Sequence, residues 1–367
     1  MTISVARFTR EHEAAAALFN QRMRAANAAT AFLLPERASA RPPQGDVTMT
    51  HYVACDGEGN VRGGMLCQEY PAVIAGKVER VVNISAPLSE GIINSAYMLV
   101  GPQLIRHALR QNPRAFVVGM GQSGNPLPRL LKAMGWRIGE VPFYFRVLNG
   151  GRCARELRPL RTTRARRIAG TVAAMTGAAS LGAHMAHLAS AGAKRSARGL
   201  RAEPIERWDD RADAAWSAFA GALSFGVTRT SGVLPAFYPF DAHGPRAWVL
   251  RRDDNALGWL GMQITQMSAN PYFGDLKVAV VTDCVGTEDA VRAGALKAIE
   301  AAGECGADIV ITNQQHRLLK ESCLEAGWRR GPSNFLLATS PALGTVCHGD
   351  LAYVTRRDGD GLANLVH

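Results

Sequence analysis

The chain contains the stretch Asp308-Ile309-Val310-Ile311, followed by Asn313, by Arg317-Leu318-Leu319-Lys320 and by Gly327-Trp328. The same order occurs earlier as Ala115-Phe116-Val117-Val118, Asn125, Arg129-Leu130-Leu131-Lys132 and Gly135-Trp136. Each copy predicts a short buried strand, a helix that follows an asparagine, and a return into another strand. The copies are 192 residues apart (327 − 135), which is the size of a domain rather than of a solenoid repeat. The sequence therefore predicts two tandem copies of one α/β domain.

Length and composition agree with two soluble domains. The chain has 367 residues, of which 47% are apolar and 20% are charged, and each half is long enough to bury its own core. The seven cysteines form no CxxC and no Cys/His metal spacing. Because the first residues also lack a signal-peptide pattern, we expect reduced thiols, no bound metal and a cytoplasmic protein.

The net charge of +11 is concentrated between the two halves. Lys and Arg minus Asp and Glu give 16 − 10 = +6 for residues 1–150, 11 − 1 = +10 for 151–202 and 15 − 20 = −5 for 203–367. Inside the middle segment, residues 168–193 are uncharged and alanine-rich and are flanked by arginines. This pattern fits a soluble helical connector, a contact with an anionic membrane surface, or a transmembrane span. We predict the connector, peripheral to the inner membrane at most, and we do not expect nucleic-acid binding because aromatic residues do not alternate with the cations.

The order of predicted elements is the same in both halves. A strand and a helix come first, then an antiparallel hairpin, and then strand, helix, strand, helix and strand. We place the boundaries at 1–150 for the first domain, 151–202 for the connector and 203–367 for the second domain, with 345–367 as a tail. This order, with asparagine opening the last helix and Gly-Trp closing it, resembles the GNAT superfamily of N-acyltransferases. The resemblance implies an α/β (α+β) fold with two tandem mixed-sheet domains, joined here by a basic, alanine-rich helical connector.

The resemblance also implies a binding site for the pyrophosphate of coenzyme A. In the superfamily, backbone N–H groups at the start of a helix hold that group, and glycine permits close approach. The first half matches best, and its implied cofactor-binding residues are Asn94, Val100, Gly101, Gln103 and Asn125. In the second half, Glu288 and Asp289 stand at the corresponding helix start and would repel a phosphate. The acyl donor is thus expected to be acyl-CoA, or an acyl-carrier protein.

Candidate catalytic residues lie in the second half. Many superfamily members place a tyrosine on the last helix, but this chain has Leu131 and Cys323 at the two matching positions. Asp283 ends the central strand and His316 begins the last helix, so both are expected at one cleft, where a base could deprotonate the acceptor amine. Asp283 could instead be a helix cap, and His316 an ordinary residue of a first turn.

Acceptor-binding residues are predicted around the second hairpin and the last helix. They are Arg229, Tyr238, Asn313 and Asn334, of which Tyr238 belongs to an aromatic cluster that could equally be core. Together these features predict transfer of an acyl group to an amine of a small molecule, such as a sugar or cell-envelope precursor. The rival interpretations are a non-catalytic binding or scaffold protein with degenerate domains, and a peripheral membrane or nucleic-acid-associated protein that binds through the connector.

Overall fold

The computed structural model describes residues 2–28, 33–38, 45–157, 197–239, 246–347 and 349–359. Both halves alternate strands and helices in the predicted order. The first half contains β1 (Ser4–Arg7), α1 (Glu13–Ala25), β2 (Thr48–Cys55), β3 (Val61–Ile74), β4 (Lys77–Ser89), α2 (Val100–Gln111), β5 (Ala115–Val118), α3 (Pro126–Ala133), β6 (Arg137–Glu140), β7 (Phe143–Val147) and α4 (Gly150–Glu156).

The described part of the second half repeats this sequence of elements with two additional short strands, β9 and β16, and one additional short helix, α6. It contains β8 (Leu200–Pro204), α5 (Asp210–Ala220), β9 (Phe225–Val227), α6 (Leu234–Phe237), β10 (Arg246–Arg252), β11 (Asn255–Gln266), β12 (Lys277–Gly286), α7 (Glu288–Glu304), β13 (Ile309–Asn313), α8 (Arg317–Glu325), β14 (Arg329–Gly331), β15 (Leu336–Thr339), α9 (Pro341–Gly344) and β16 (Ala352–Tyr353).

The chain divides into two compact units. Unit 1 consists of Met1–Gly139 and Leu336–Cys347, and unit 2 consists of Glu140–Phe335 and His348–His367. The main sheet of unit 1 has the order β1-β2-β3-β4-β5-β15-β6, and that of unit 2 has the order β8-β10-β11-β12-β13-β7-β14. Both sheets are mixed, because β4 with β5 and β12 with β13 are parallel pairs and the neighbouring pairs are antiparallel. The predicted fold class of two mixed-sheet domains is confirmed.

Each unit takes one strand from the opposite half of the chain. In unit 1, β15 pairs with β5 through Leu337 and Val118. In unit 2, β7 pairs with β13 through Phe145 and Ile311. The units therefore begin and end at residues other than the predicted limits 1–150 and 203–367. The predicted tail 345–367 is also divided, because its first residues belong to unit 1 and the segment 352–358 packs in unit 2.

Local chemistry explains the elements that lead to the site in unit 1. The β2–β3 turn is fixed by Asp56, whose Oδ1 accepts from the N–H groups of Glu58 and Asn60. Helix α2 buries Leu104, Ile105 and Ala108 against the sheet, and this spacing produces its apolar face. Because α2 packs against the sheet that contains β4, the segment between the end of β4 and the start of α2 is held at both of its ends.

Most of the predicted connector, 158–196, lies outside the described residues, so its helical character stays a prediction. Among the residues that are described, no helix combines the length and the apolar character that crossing a bilayer requires. The described residues also contain no group of three or more His, Cys, Asp or Glu side chains arranged to hold a metal ion.

Candidate functional site

In unit 1 the two parallel central strands pair only briefly. Strands β4 and β5 are in register at Val82 with Ala115 and at Asn83 with Phe116. Strand β4 then continues to Ser89, whereas β5 ends at Val118. The described residues of these two strands have no further pairing, so β4 and β5 diverge at the end of the sheet where β4 leads into α2.

Helix α2 begins at this end of the sheet without an acidic residue. Its first turn contains no Asp or Glu, and Pro102 has no N–H group. The N–H of Gln103 donates to Leu99, while those of Val100 and Gly101 find no acceptor within the described residues. Free N–H groups and the helix dipole make such a terminus attractive to an anion.

Three of the five residues predicted to bind the cofactor, Val100, Gly101 and Gln103, lie in the first turn of α2. Val100 is buried in the core, and Gln103 is half-buried with an Oε1 that has no partner among the described residues. The exposed Asn94 side chain accepts from the N–H of Ala96 and caps a short 3-10 turn. Asn125 is exposed at the start of α3, and its amide donates to Met120. Cofactor binding by these five residues remains a prediction.

The equivalent helix start in unit 2 is chemically different. Thr287 caps α7 by accepting from the N–H of Ala290, and Glu288 and Asp289 occupy the first turn. Glu288 pairs with Arg292 on the same helix, and Asp289 pairs with Arg252. This terminus already carries negative charge next to its N–H groups, which is unfavourable for a second anion.

The central strands of unit 2 also diverge, but a segment of the chain fills the gap. Strands β12 and β13 pair from Val278 with Ile309 to Val280 with Ile311. Beyond these pairs, the segment 352–358 lies between them. The N–H of Gln315 donates to Val354, and the Tyr353 hydroxyl lies 3.3 Å from the backbone nitrogen of Cys284, which donates to it. The segment therefore connects the end of β13 to β12.

Asp283 is the centre of this filled gap. Its Oδ1 accepts from the Tyr353 hydroxyl at 2.6 Å. Its Oδ2 accepts from the Tyr238 hydroxyl at 2.5 Å and from Arg229 Nε at 3.0 Å. The Asp283 side chain has 0% exposure. The expectation that Asp283 faces an open cleft is therefore wrong for this structure, because the C-terminal segment covers it.

Arg229 joins this aspartate to a second one. Its Nη2 donates to Asp358 Oδ1 at 2.7 Å, and its side chain is also 0% exposed. Although burial opposes its charged form, Asp283 and then Asp358 raise the pKa of Arg229, so it stays cationic. Burial raises the pKa of Asp358, and Arg229 opposes that change. We call Arg229, Asp283, Asp358, Tyr238 and Tyr353 the buried network.

Little space remains beside the buried network. A cavity of about 20 Å³ is lined by residues that include Asp283, Thr312, Cys323 and Tyr353. This volume holds about one water molecule, so the arm of a coenzyme would need the segment 352–358 to move away. Burial raises the pKa of Cys323, which suits a core residue rather than an acid in catalysis. Its counterpart in unit 1, Leu131, is completely buried.

His316 precedes α8, as predicted, and is partly buried. Its ring lies 5.0 Å from that of Phe219, and its Nδ1 has no partner among the described residues. Burial, together with the neighbouring Arg317, lowers the pKa of His316 to about 4. The imidazole is therefore neutral at physiological pH and chemically able to accept a proton.

This pKa predicts how His316 changes stability with pH. The unfolded chain has an ordinary histidine pKa near 6.5 and binds the proton first, so folding loses stability as pH falls from about 6.5 to about 4. The loss from this group is expected to reach up to about 3 kcal/mol. Denaturant unfolding of the wild type and His316→Gln across this range measures it. The difference between the two proteins should change with pH there, and a constant difference would contradict the expectation.

The predicted acceptor-binding residues are not gathered at one open surface. Arg229 and Tyr238 belong to the buried network. Asn313 is buried, accepts from Arg356 Nε at 2.7 Å and donates to the carbonyl of Val141. Asn334 is exposed. Acceptor binding by these four residues stays a prediction. In this structure Arg229, Tyr238 and Asn313 form hydrogen bonds to other buried parts of unit 2.

Sequence reasoning misses the C-terminal members of the buried network. Tyr353 and Asp358 fall in the predicted tail, although both are buried. The segment Ala352-Tyr353-Val354 is apolar, and that pattern is the only signal that could have indicated a place in the core.

Comparison with solved structures identifies the class of fold. A protein of Enterococcus faecalis V583 described as a "Probable N-Acyltransferase" aligns with a TM-score of 0.52 and 9% identity, over 94% of this chain and 74% of that chain. A GCN5-related N-acetyltransferase of Anabaena variabilis aligns with a TM-score of 0.52 and 11% identity, over 92% and 72%. A GCN5-related glucosamine N-acetyltransferase region of a fungal multi-domain enzyme gives 0.52 and 11%, over 92% and 38%.

These similarities define the fold, at identities too low to carry an activity. No family model and no curated protein sequence matches the chain. The protein has the GNAT fold in a tandem, two-domain arrangement, as its repeated sequence predicted.

Proposed function

We propose that the chain is an N-acyltransferase that uses an acyl-CoA thioester and binds it in unit 1. The observation that carries the proposal is the contrast between the two units. In unit 1 the central strands diverge towards a helix start with no acid in its first turn and two N–H groups that find no acceptor among the described residues. In unit 2 the corresponding gap is filled by the segment 352–358, and the helix start is capped and acidic.

The unit 1 geometry suits the parts of an acyl-CoA molecule. The N–H groups of Val100 and Gly101 would hold the pyrophosphate at the start of α2. The pantetheine arm would lie where β4 and β5 separate. The acceptor nitrogen attacks the thioester carbonyl, the carbon–sulfur bond breaks, and the thiolate leaves with the proton that the amine loses.

The acceptor is proposed as a primary amine on a small molecule. An amino sugar is the first class to test, because a glucosamine N-acetyltransferase region has this fold. An acyl-carrier protein is a second donor to assay. In this proposal unit 2 does not bind the acyl donor, and the buried network stabilises the fold of unit 2. Asp283 then acts in folding, and a catalytic role for His316 would require the donor to bind in unit 2.

Introducing a negative charge at the start of α2 tests where the donor binds. We expect Gly101→Glu to weaken coenzyme A binding at least about tenfold, since a carboxylate there repels the pyrophosphate and opposes the helix dipole. A Cβ at this position would lie 3.4 Å from Leu130 Cδ2, which is ordinary contact. The fold should therefore accept the side chain, and calorimetric titration with coenzyme A gives the affinity.

The matched control is Gly101→Gln, which has the same size without the charge. Affinity that falls equally in both variants would mean that crowding, and not charge, weakens binding. Equal affinity of wild type and Gly101→Glu would place the donor elsewhere. Binding that disappears only when the first turn of α7 is altered would assign the donor to unit 2.

A scaffold function is supported by one observation, which is the filled gap in unit 2. The chain as a whole would be a scaffold protein only if unit 1 also fails to bind coenzyme A. Titration of the wild-type protein with acetyl-CoA and with a longer acyl-CoA decides between the two functions.

A further inference from the structure

Unit 1 exposes a compact group of aliphatic side chains next to the start of α2. Ile92 is 48% exposed, Ile93 37%, Met98 62% and Leu99 61%. These are four of the nine large apolar residues that are exposed in the described part of the chain. We call these four residues the apolar knob. Exposed apolar residues that cluster in this way usually mark a contact surface.

The backbone holds the apolar knob in a fixed shape. Its two halves touch, because a Cβ on Gly91 would lie 2.8 Å from Met98 Cα. Ser89 accepts from the N–H of Gly91. The Arg62 guanidinium lies 4.3 Å from the centre of the Tyr97 ring. The apolar side chains are therefore presented on a supported turn.

The segment that follows the knob carries positive charge without acidic residues. Residues 91–139 contain six Lys and Arg and no Asp or Glu. Arg114 pairs with Glu79, and Arg137 donates to the carbonyl of Gly344. The other four are exposed and form no ion pair within the described residues: Arg106, Arg110, Arg129 and Lys132.

The four cations lie on α2 and α3, and the knob residues Met98 and Leu99 immediately precede α2 in the chain. Helices α2 and α3 share a core that includes Leu104 and Leu131. They touch where Gly101 meets Leu130. Arg106 and Arg110 lie on the face of α2 opposite the buried Leu104, Ile105 and Ala108. An anionic surface that receives the knob therefore also meets the cations.

We propose that the apolar knob and its four cations form a docking surface for an anionic lipid bilayer. Aliphatic side chains enter the boundary between headgroups and acyl chains, and each nearby cation adds attraction to anionic lipid. An acidic protein is the other partner that this charge suits. The bilayer fits better, because the four cations are held by no partner in a fixed geometry and a lipid surface requires no shape match. The proposal does not depend on the acyltransfer reaction.

Vesicle co-sedimentation of the full chain tests the proposal directly. We expect binding to vesicles of phosphatidylcholine with phosphatidylglycerol, much weaker binding to phosphatidylcholine alone, and release by added salt. Arg106→Glu with Arg129→Glu should weaken binding at least about tenfold, since each cation contributes about fivefold. Ile92→Ser with Met98→Ser should also weaken it, because less apolar surface enters the bilayer.

Matched variants in α1 provide the controls. Arg24→Glu removes an exposed cation, and Leu18→Ser removes an aliphatic side chain that is 55% exposed. Both should bind vesicles like the wild type, and all variants should keep its melting temperature. The proposal fails if anionic vesicles are not bound. It also fails if the knob variants bind as well as the controls, which would assign binding to another segment. Loss of a protein complex in the knob variants, without vesicle binding by the wild type, would identify an acidic protein as the partner.

Discussion

Replacing Arg229 with methionine is expected to lower the free energy of unfolding by about 3–5 kcal/mol, because the substitution leaves two buried carboxylates without their cation. The Arg229 side chain has 0% exposure, lies 3.0 Å from Asp283 and lies 2.7 Å from Asp358. A loss of this size is a large part of the about 5–15 kcal/mol that stabilises a typical domain. Denaturant unfolding followed by circular dichroism measures it.

Arg292→Met is the matched control. Arg292 also has carboxylate partners, Glu288 and Glu325, but its side chain is 24% exposed, so we expect a loss below about 1 kcal/mol. Adding Asp283→Asn and Asp358→Asn to Arg229→Met should recover part of the stability, since neutral amides are less costly to bury. If Arg229→Met were no more destabilising than the control, the buried network would not hold unit 2 together.

The same network separates two roles for Asp283. If the carboxylate is structural, Asp283→Asn lowers stability while the turnover of the remaining folded enzyme is unchanged. If it is the base, turnover falls by about 10²–10⁴ with a smaller change in stability. Comparing turnover with the folded fraction in one sample distinguishes these results.

A fragment that ends at residue 150 is expected not to fold. It retains β1 to β7, of which β7 pairs in unit 2, but it lacks β15, which lies between β5 and β6 in the unit 1 sheet. Without it, Val117 and Val118 lose their partners Ala338 and Leu337, and an exposed hydrophobic strand edge promotes aggregation. Size-exclusion chromatography and circular dichroism of the fragment should show aggregated or unfolded chain.

A rearranged chain provides the positive control. The N–H of Val141 donates to the carbonyl of Phe335, so a short glycine linker could join these residues and continue to Cys347. The rearranged chain supplies β15 to unit 1 in a simple hairpin, and we expect it to have more regular structure than the 1–150 fragment. A well-folded, monomeric 1–150 fragment would contradict the importance of the exchanged strand.

The repeat predicted the fold well, because apolar strand patterns and the Gly-Trp pair that ends a helix before the next strand are local signals. It could not predict the exchange of β7 and β15. The two strands occupy matching places in the repeat, so each carries a pattern that suits either sheet. Only the three-dimensional pairing of Leu337 with Val118 shows which sheet each strand joins.

The site was less predictable than the fold. Asp283 stands out in the sequence as a charged residue after an apolar strand, but Asp358 is 129 residues from Arg229, the cation that joins the two aspartates. No local pattern connects residues at that separation. The sequence also suggested the start of α2 as an anion site, which depends on local features such as Gly101 and the absence of acids. The apolar knob could not be predicted, because exposure depends on how the two short turns pack.

The exchanged strand also determines when the protein can fold during its synthesis. The N–H of Ala115 donates to Ser340, 225 residues later, so unit 1 cannot complete its sheet until Ser340 has left the ribosome. At a synthesis rate of about 5–20 residues per second, the edge of β5 stays without its partner β15 for about ten seconds or more. Nascent chains in that interval are suitable clients for chaperones that bind exposed hydrophobic strands, and slower translation would lengthen the exposure.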